Sequence, residues 1–260
     1  MKIIRPEYEI LTDISDDAIV ELQRIEKAAR TCYKSEDKIT EDGESAMKLV
    51  KNLIDRGHEA MLEHSDLSVK FIVDRGFSHE MVRHRLCSFA QESTRWCNYS
   101  GNKFDGQLTF VMPLEFNSWF MKNADLDTYS MFLDEIKDHF WMAIENHRTL
   151  KDLKVPVGFL RWAYTMYTCE EQYMEMIKSG CTPQLARSVL PTSVKTELVV
   201  TANYREWRNI FKLRTANDAH PDMRMLMKDL LKDISRKIPV VFNDIANSID
   251  WDYEYRKKEE

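Results

Sequence analysis

Glycine and proline are scarce, seven of each in 260 residues, so turns are few and the elements between them long. No Gly/Ser linker, low-complexity tract or internal repeat divides the chain. No run of about 18 apolar residues exists, which excludes a membrane-spanning helix as an expectation. Disulfide spacing is also missing. The five cysteines at 32, 87, 97, 169 and 181 are odd in number and no pair is C-x-x-C, so free thiols in a reducing, cytoplasmic compartment are expected. The start, MKIIRPEYEIL, reads as a first strand rather than a targeting peptide. An excess of basic charge is absent too. The formal net charge is −6, which argues against a dedicated nucleic-acid binder, whose affinity would come from basic surface.

The apolar and charged fractions are those of a soluble globular protein rather than a disordered one. A chain of this length suits one large domain or two small ones, and buries roughly 70–75% of its unfolded surface without help from metals or disulfides. Residues 2–12 read as a strand. A helix follows from Asp16 to about Lys34, with Ile19, Leu22, Ile25 and Ala29 on one face and Asp16 or Asp17 as its cap. A second runs from about Gly43 to Arg56 with Met47, Val50 and Leu53 inward, ending at Gly57. DLSVKFIVDR alternates as a half-buried strand at Leu67, Val69, Phe71 and Val73. A short helix from about Gly76, capped by Ser78, delivers Arg83-His84-Arg85. LTFVMP is a short strand in an irregular stretch, and residues 125–150 are an amphipathic helix with Met131, Ile136, Phe140 and Ile144. Trp162 to Ser179, PQLARSVL, NYREWRNIFKLR and 222–247 are helical, and KTELVVTAN is a β-branched strand. The mix predicts an α-heavy α+β fold, a central, mostly antiparallel sheet flanked by helices.

Four groups of residues carry chemistry. RHRLCSFAQESTRW, residues 83 to 96, mixes three arginines with neutral donors. A guanidinium presents a planar fork matched to phosphate or carboxylate oxygens, and Ser88, Gln91, Ser93 and Thr94 add donors that an ordinary solvated face, usually Lys and Glu, does not have. GHEAMLEH, residues 57–64, resembles a zinc-protease helix, but its second histidine stands at i+6 rather than i+4, so two imidazoles do not share a face. Arg187 lies in the short PQLARSVLP helix. Arg205 and Asn209, four apart, share a helical face between Asn203 and Arg214. Taken singly, each group has an ordinary structural explanation.

Taken in order, they resemble one family. Arg83-His84-Arg85, seven residues and Ser93 is the R-H-R-x7-S signature of flavin-dependent thymidylate synthases, continued by Gln91-Glu92-Ser93-Thr94-Arg95. AARTCYKS, GHEAMLEH, ARSVLPTSVKTELVVTAN and the stretch around Asn209 and Arg214 follow in that family's order. The resemblance covers residues 1–100 and 178–225 well, and 101–177 only by helical character. Departures are Trp96 where the family usually has Tyr, Ala90 for Asn or Ser, Asp218-Ala219-His220 after Arg214, and Glu80 where a polar residue often touches the nucleotide.

The resemblance implies a single domain over residues 1–260, a methyltransferase making dTMP from dUMP. Methylenetetrahydrofolate supplies the carbon, FAD carries the hydride and NADPH reduces the flavin. It implies a homotetramer whose active sites are shared between subunits, with no nucleic-acid or membrane partner and no metal. Arg83, Ser93, Thr94, Arg95, Arg187 and Arg214 would hold dUMP. His58, Glu63, His84, Arg85, Asn203 and Asn209 would surround the flavin, and Gln91 would stand between the ligands. Arg214 and Gln91 are the catalytic candidates, Arg214 by stabilising charge that develops on the pyrimidine. No cysteine is needed as nucleophile, and the missing G-x-G-x-x-G agrees with a family that does not bind FAD on a Rossmann unit. Two alternatives remain: a related flavin- and folate-dependent pyrimidine-nucleotide C5-methylase or hydroxymethylase, and a non-catalytic phosphate- or RNA-binding module.

Overall fold

The computed structural model describes residues 1–116 and 156–253. The expected helix over 125–150 lies outside them. The described chain separates into two compact units, each built from three segments.

The first unit comprises Met1–Pro6, Ile72–Ser78 and Gln91–Glu197. Strand β1 (Lys2–Ile4) pairs in parallel with β5 (Thr109–Val111), Ile3 opposite Phe110. Helix α4 (Val157–Lys178) buries Phe159, Leu160, Ala163, Met166 and Tyr173 along one stripe. Met166 and Tyr173 join Tyr99, Leu108, Phe110, Ala186 and Val194 in a common core. The buried Glu170 on the same helix is satisfied twice, by the Leu108 N–H at 2.8 Å and the terminal ammonium of Met1 at 3.0 Å. Short α5 (Pro183–Ala186) starts at Pro183 as expected, since its first N–H has no helical partner in any case.

The second unit comprises Glu7–Phe71, His79–Ala90 and Leu198–Glu260. It holds α1 (Ile19–Thr31), α2 (Glu44–Asp55), α6 (Tyr204–Arg214), α7 (Pro221–Lys237) and α8 (Pro239–Ser248). Most residues of a four-stranded antiparallel sheet also belong here, in the order β2 (Glu7–Ile10), β3 (Asp66–Asp74), β6 (Lys195–Asn203) and β4 (Ser88–Gln91). Leu67, Val69 and Phe71 of β3 and Leu198 and Val200 of β6 are buried in the core, where Phe211 of α6 packs on Trp207 of the same helix and on Phe242 of α8. Trp207 satisfies its indole N–H on the Leu67 carbonyl at 2.8 Å.

Several expectations change in detail. Residues 2–12 are two strands in two sheets, because Pro6 cannot donate to a ladder. The N-cap position of α1 is Ala18, left-handed at φ +55°, rather than Asp16 or Asp17, which lie in a 3-10 turn; Ser15, before that turn, accepts the Val20 N–H on its Oγ at 3.1 Å and donates to Glu21 at 2.6 Å. In α2, Ala46 and Val50 are buried and Met47 is largely exposed. Helix α3 (Arg75–Met81) is capped by Asp74, which takes the Phe77 N–H at 2.6 Å; Ser78 lies inside it, donating to the Arg75 carbonyl. The end of α2 is as expected: Gly57 at φ +70° lets His58 N–H reach the Leu53 carbonyl and Gly57 N–H the Ile54 carbonyl.

Candidate functional site

The candidate residues divide between the two units, and His58, Arg83 and Arg85 are exposed and do not line the cavity beside α6. In the first unit, β4 ends at Gln91 and the chain makes a tight turn: the Ser93 carbonyl accepts the N–H groups of Trp96 and Cys97, and Ser93 Oγ accepts that of Arg95. Thr94 is buried, and Arg187 Nη1 reaches its Oγ1 at 3.4 Å. Arg95 is exposed; its Nε donates to Gln184 Oε1 at 3.0 Å and its guanidinium lies over the Trp96 ring. Ser93, Thr94, Arg95 and Arg187 therefore present two hydroxyls and two guanidinium forks around one turn, a donor set suited to a phosphate. Gln91 gives its amide N–H groups to Ser78 and Thr196, so its carbonyl oxygen is the group left to offer.

This turn is anchored by residues that sequence reasoning passed over. Glu92 donates its N–H to the Glu197 carbonyl, and its carboxylate accepts Lys195 Nζ at 2.8 Å and the Tyr99 hydroxyl at 2.9 Å. Burial first, then the Glu92 charge, push the Tyr99 phenol far above its ordinary value, so it stays protonated and donates to Glu92. Burial works against the Lys195 charge, but Glu197 and Glu92 more than offset it and raise its pKa.

In the second unit, the arginine–histidine–arginine turn alternates out, in, out. Arg83 and Arg85 are exposed, and their guanidiniums have no partner among the described residues, whereas His84 is 6% exposed. His84 Nε2 accepts Arg214 Nε–H at 2.9 Å, and its Nδ1 lies 3.4 Å from Glu206 Oε1. Burial and then the Arg214 charge lower the His84 pKa, with Glu206 opposing, so the ring is neutral at pH 7. Glu80, set aside in the sequence, holds Arg214 from the other side: Nη1 bonds its carboxylate at 2.8 Å and Nη2 its carbonyl at 2.9 Å. Three of five guanidinium N–H groups are thus committed and two remain.

Beside this lies a cavity of about 400 Å³ lined by Glu59, Glu63, Leu86, Asn203, Arg205, Glu206, Asn209 and Lys212. Its polar wall follows from helix geometry. Asn203 caps α6 by accepting the Glu206 N–H at 2.9 Å, and Glu206 and Asn209, three apart, are neighbours along the helix surface. Asn209 bonds Glu206 rather than Arg205, whose partner is Glu63 at 2.6 Å. His58 is exposed where the turn after α2 begins. The wall is stiffened from within by the buried Arg208, which forks onto Asp244 at 2.7 Å twice and onto Glu59 at 3.1 Å, and donates to the Val241 carbonyl. Cys87, inside the motif, has its thiol pushed up to about 12 by burial and by Glu206, so it is inert as a nucleophile.

Sequence reasoning missed Glu206 and Arg208, although Asn203-x-x-Glu206 has the spacing of a capping box. Among the described residues no His, Cys, Asp or Glu cluster is arranged to hold a metal ion, and no helix is long and apolar enough to cross a membrane.

Comparison with known proteins matches this arrangement to a family. Residues 17–240 match the family model described as thymidylate synthase complementing protein. The flavin-dependent thymidylate synthase of Corynebacterium efficiens is 26% identical over 221 residues, 85% of this chain and 78% of that protein. That of Mycolicibacterium vanbaalenii is 27% identical over 245 residues, 93% and 87% of the two chains. Among solved structures, thymidylate synthase X from Helicobacter pylori with FAD and dUMP is similar at a TM-score of 0.64 and 20% identity, covering 92% of this chain and 99% of that one. A UMP/dUMP methylase, PolB from Streptomyces cacaoi bound with 5-Br dUMP, is similar at a TM-score of 0.62 and 20% identity, covering 94% and 96%. The family match spans most of the sequence and includes both the arginine–histidine–arginine turn and the capped α6, so the chain belongs to the flavin-dependent thymidylate synthase family.

Proposed function

We propose that this methyltransferase converts dUMP to dTMP, with methylenetetrahydrofolate as carbon donor, FAD as hydride carrier and NADPH as its reductant. The observation that carries the reading is Arg214, a half-buried guanidinium clamped by His84 and Glu80 with two N–H groups still to give. A cation held rigidly beside a pyrimidine stabilises negative charge on the ring without reorganising when that charge appears. Ser93, Thr94, Arg95 and Arg187 take the phosphate, joined by Arg83. Charge-assisted bonds of about 1.5–3 kcal/mol each, less desolvation, support roughly micromolar binding from two or three arginines.

The donor set of the α6 cavity fits part of a dinucleotide. The Asn203 and Asn209 amides match ring edges, Arg205 and Lys212 match anionic oxygens, and Glu59 and Glu63 can accept from hydroxyls. FAD, when bound, supplies hydride chemistry that no side chain here has. His58, Glu63, Arg85, Asn203 and Asn209 hold and orient it. His84, with both ring nitrogens used inside the protein, supports Arg214, and Gln91 offers its carbonyl oxygen between the ligands. The family match runs through segments of both units, which supports one functional domain over residues 1–260, and the protein works as a homotetramer with sites completed by neighbouring protomers.

Purified protein should be yellow and should form dTMP from dUMP, methylenetetrahydrofolate and NADPH. Product from UMP alone would move the assignment to a related pyrimidine-nucleotide C5-methylase, and a colourless protein that binds only phosphate or RNA would end it.

A further inference from the structure

Glu206 stands where groups with different tasks meet. Its side chain is buried and approached from two sides: His84 Nδ1 lies 3.4 Å from Oε1, and Asn209 Nδ2 lies 3.3 and 3.4 Å from its two oxygens. A carboxylate only accepts, so the imidazole nitrogen facing it carries a hydrogen. The opposite nitrogen accepts Arg214 Nε–H, and a guanidinium does not give up its proton, so Nε2 is bare. Both constraints select the same neutral tautomer, Nδ1–H. Among the described residues, the other charged and titratable groups near this pair are Glu80 across Arg214 and the Cys87 thiol near Glu206, while Arg83 and Arg85 on the same turn are exposed. None of them presents the Nδ1–H with a second acceptor in the structure.

We propose that Glu206 is a positioning residue for nucleotide binding: it fixes the His84 tautomer, and that tautomer fixes the aim of the Arg214 guanidinium. Without the carboxylate the ring is free to take the Nε2–H form, which turns a hydrogen toward Arg214 Nε–H and drives the fork off its seat. The proposal rests on the reading of Arg214 as a nucleotide ligand, and its chemistry is separable from that reading.

The test uses full-length protein labelled with 15N histidine at neutral pH, the His84 signals being assigned by their loss in His84→Gln. The wild type should show His84 neutral with Nδ1 protonated. Glu206→Ala should bring in the Nε2–H form and raise the dUMP Kd about tenfold. Glu206→Gln, which keeps the shape and drops the charge, should move both in the same direction by less, and it serves if the alanine variant does not fold. In a His84→Gln background the amide oxygen replaces Nε2 as acceptor whatever stands at 206. There Glu206→Ala should change dUMP affinity by less than about twofold. A wild-type Nε2–H tautomer, or equal affinity losses in both backgrounds, overturns the proposal. If Arg214→Ala leaves dUMP binding intact, the nucleotide reading fails instead, and the tautomer of the Glu206 variants still decides what Glu206 does.

Discussion

His84 and Arg214 form the pair on which the residue-scale account turns. His84 is kept neutral by burial and by Arg214, so its folded pKa lies below the ordinary 6.5. A lowered value means its contribution is fully present above about 6.5 and is lost as pH falls toward the folded pKa. Unfolding midpoints measured from pH 8 to 5 should therefore fall below about 6.5, and His84→Gln should flatten that part of the profile; an unchanged profile would reject a neutral His84. Arg214→Ala should weaken dUMP by about 1.5–3 kcal/mol while FAD is retained, measured by titration of each ligand separately. Equal loss of both would reject its assigned role. With its thiol at about 12, Cys87→Ala should keep activity, and iodoacetamide at pH 8 should not modify Cys87. At this scale the motif arginines, hydroxyls and asparagines were legible because their residue types are unusual together. The pairing of Glu80 with Arg214 and of Glu206 with His84 was not, because a contact between separate elements leaves no local spacing to read.

Elements came out of the sequence where periodicity was strong, as in β3, β6 and α6. They went astray where one residue changed the hydrogen-bond accounting, as Pro6 does in splitting a strand and Asp74 in starting α3 earlier than Gly76 suggests. Two substitutions test the elements that carry the candidate site. Asn203→Ala removes the acceptor for the Glu206 N–H and should cost about 1 kcal/mol in denaturant unfolding. Gly43 precedes α2 at φ +79°, and an added Cβ would sit 2.8 Å from Ile19 Cγ2. Gly43→Ala should therefore destabilise by roughly 1–3 kcal/mol, combining left-handed strain with overpacking. An unchanged midpoint would show that α1 and α2 pack with more slack than the structure has.

For the whole molecule, no periodicity in the sequence announced that segments from three parts of the chain interleave to make each unit, because such pairing depends on long-range contacts that leave no local pattern. The family resemblance carried what periodicity did not, and it did so through residues whose chemistry can be checked: an exposed–buried–exposed arginine–histidine–arginine turn, a hydroxyl-rich turn braced by Glu92, and a capped helix lining a cavity. The most direct measurement is product analysis after mixing the purified protein with FAD, NADPH, methylenetetrahydrofolate and dUMP. The account predicts dTMP formed with NADPH oxidation that depends on dUMP, and loss of that product in Arg214→Ala. A protein that binds no flavin, or one that leaves dUMP unchanged while methylating UMP, would contradict it.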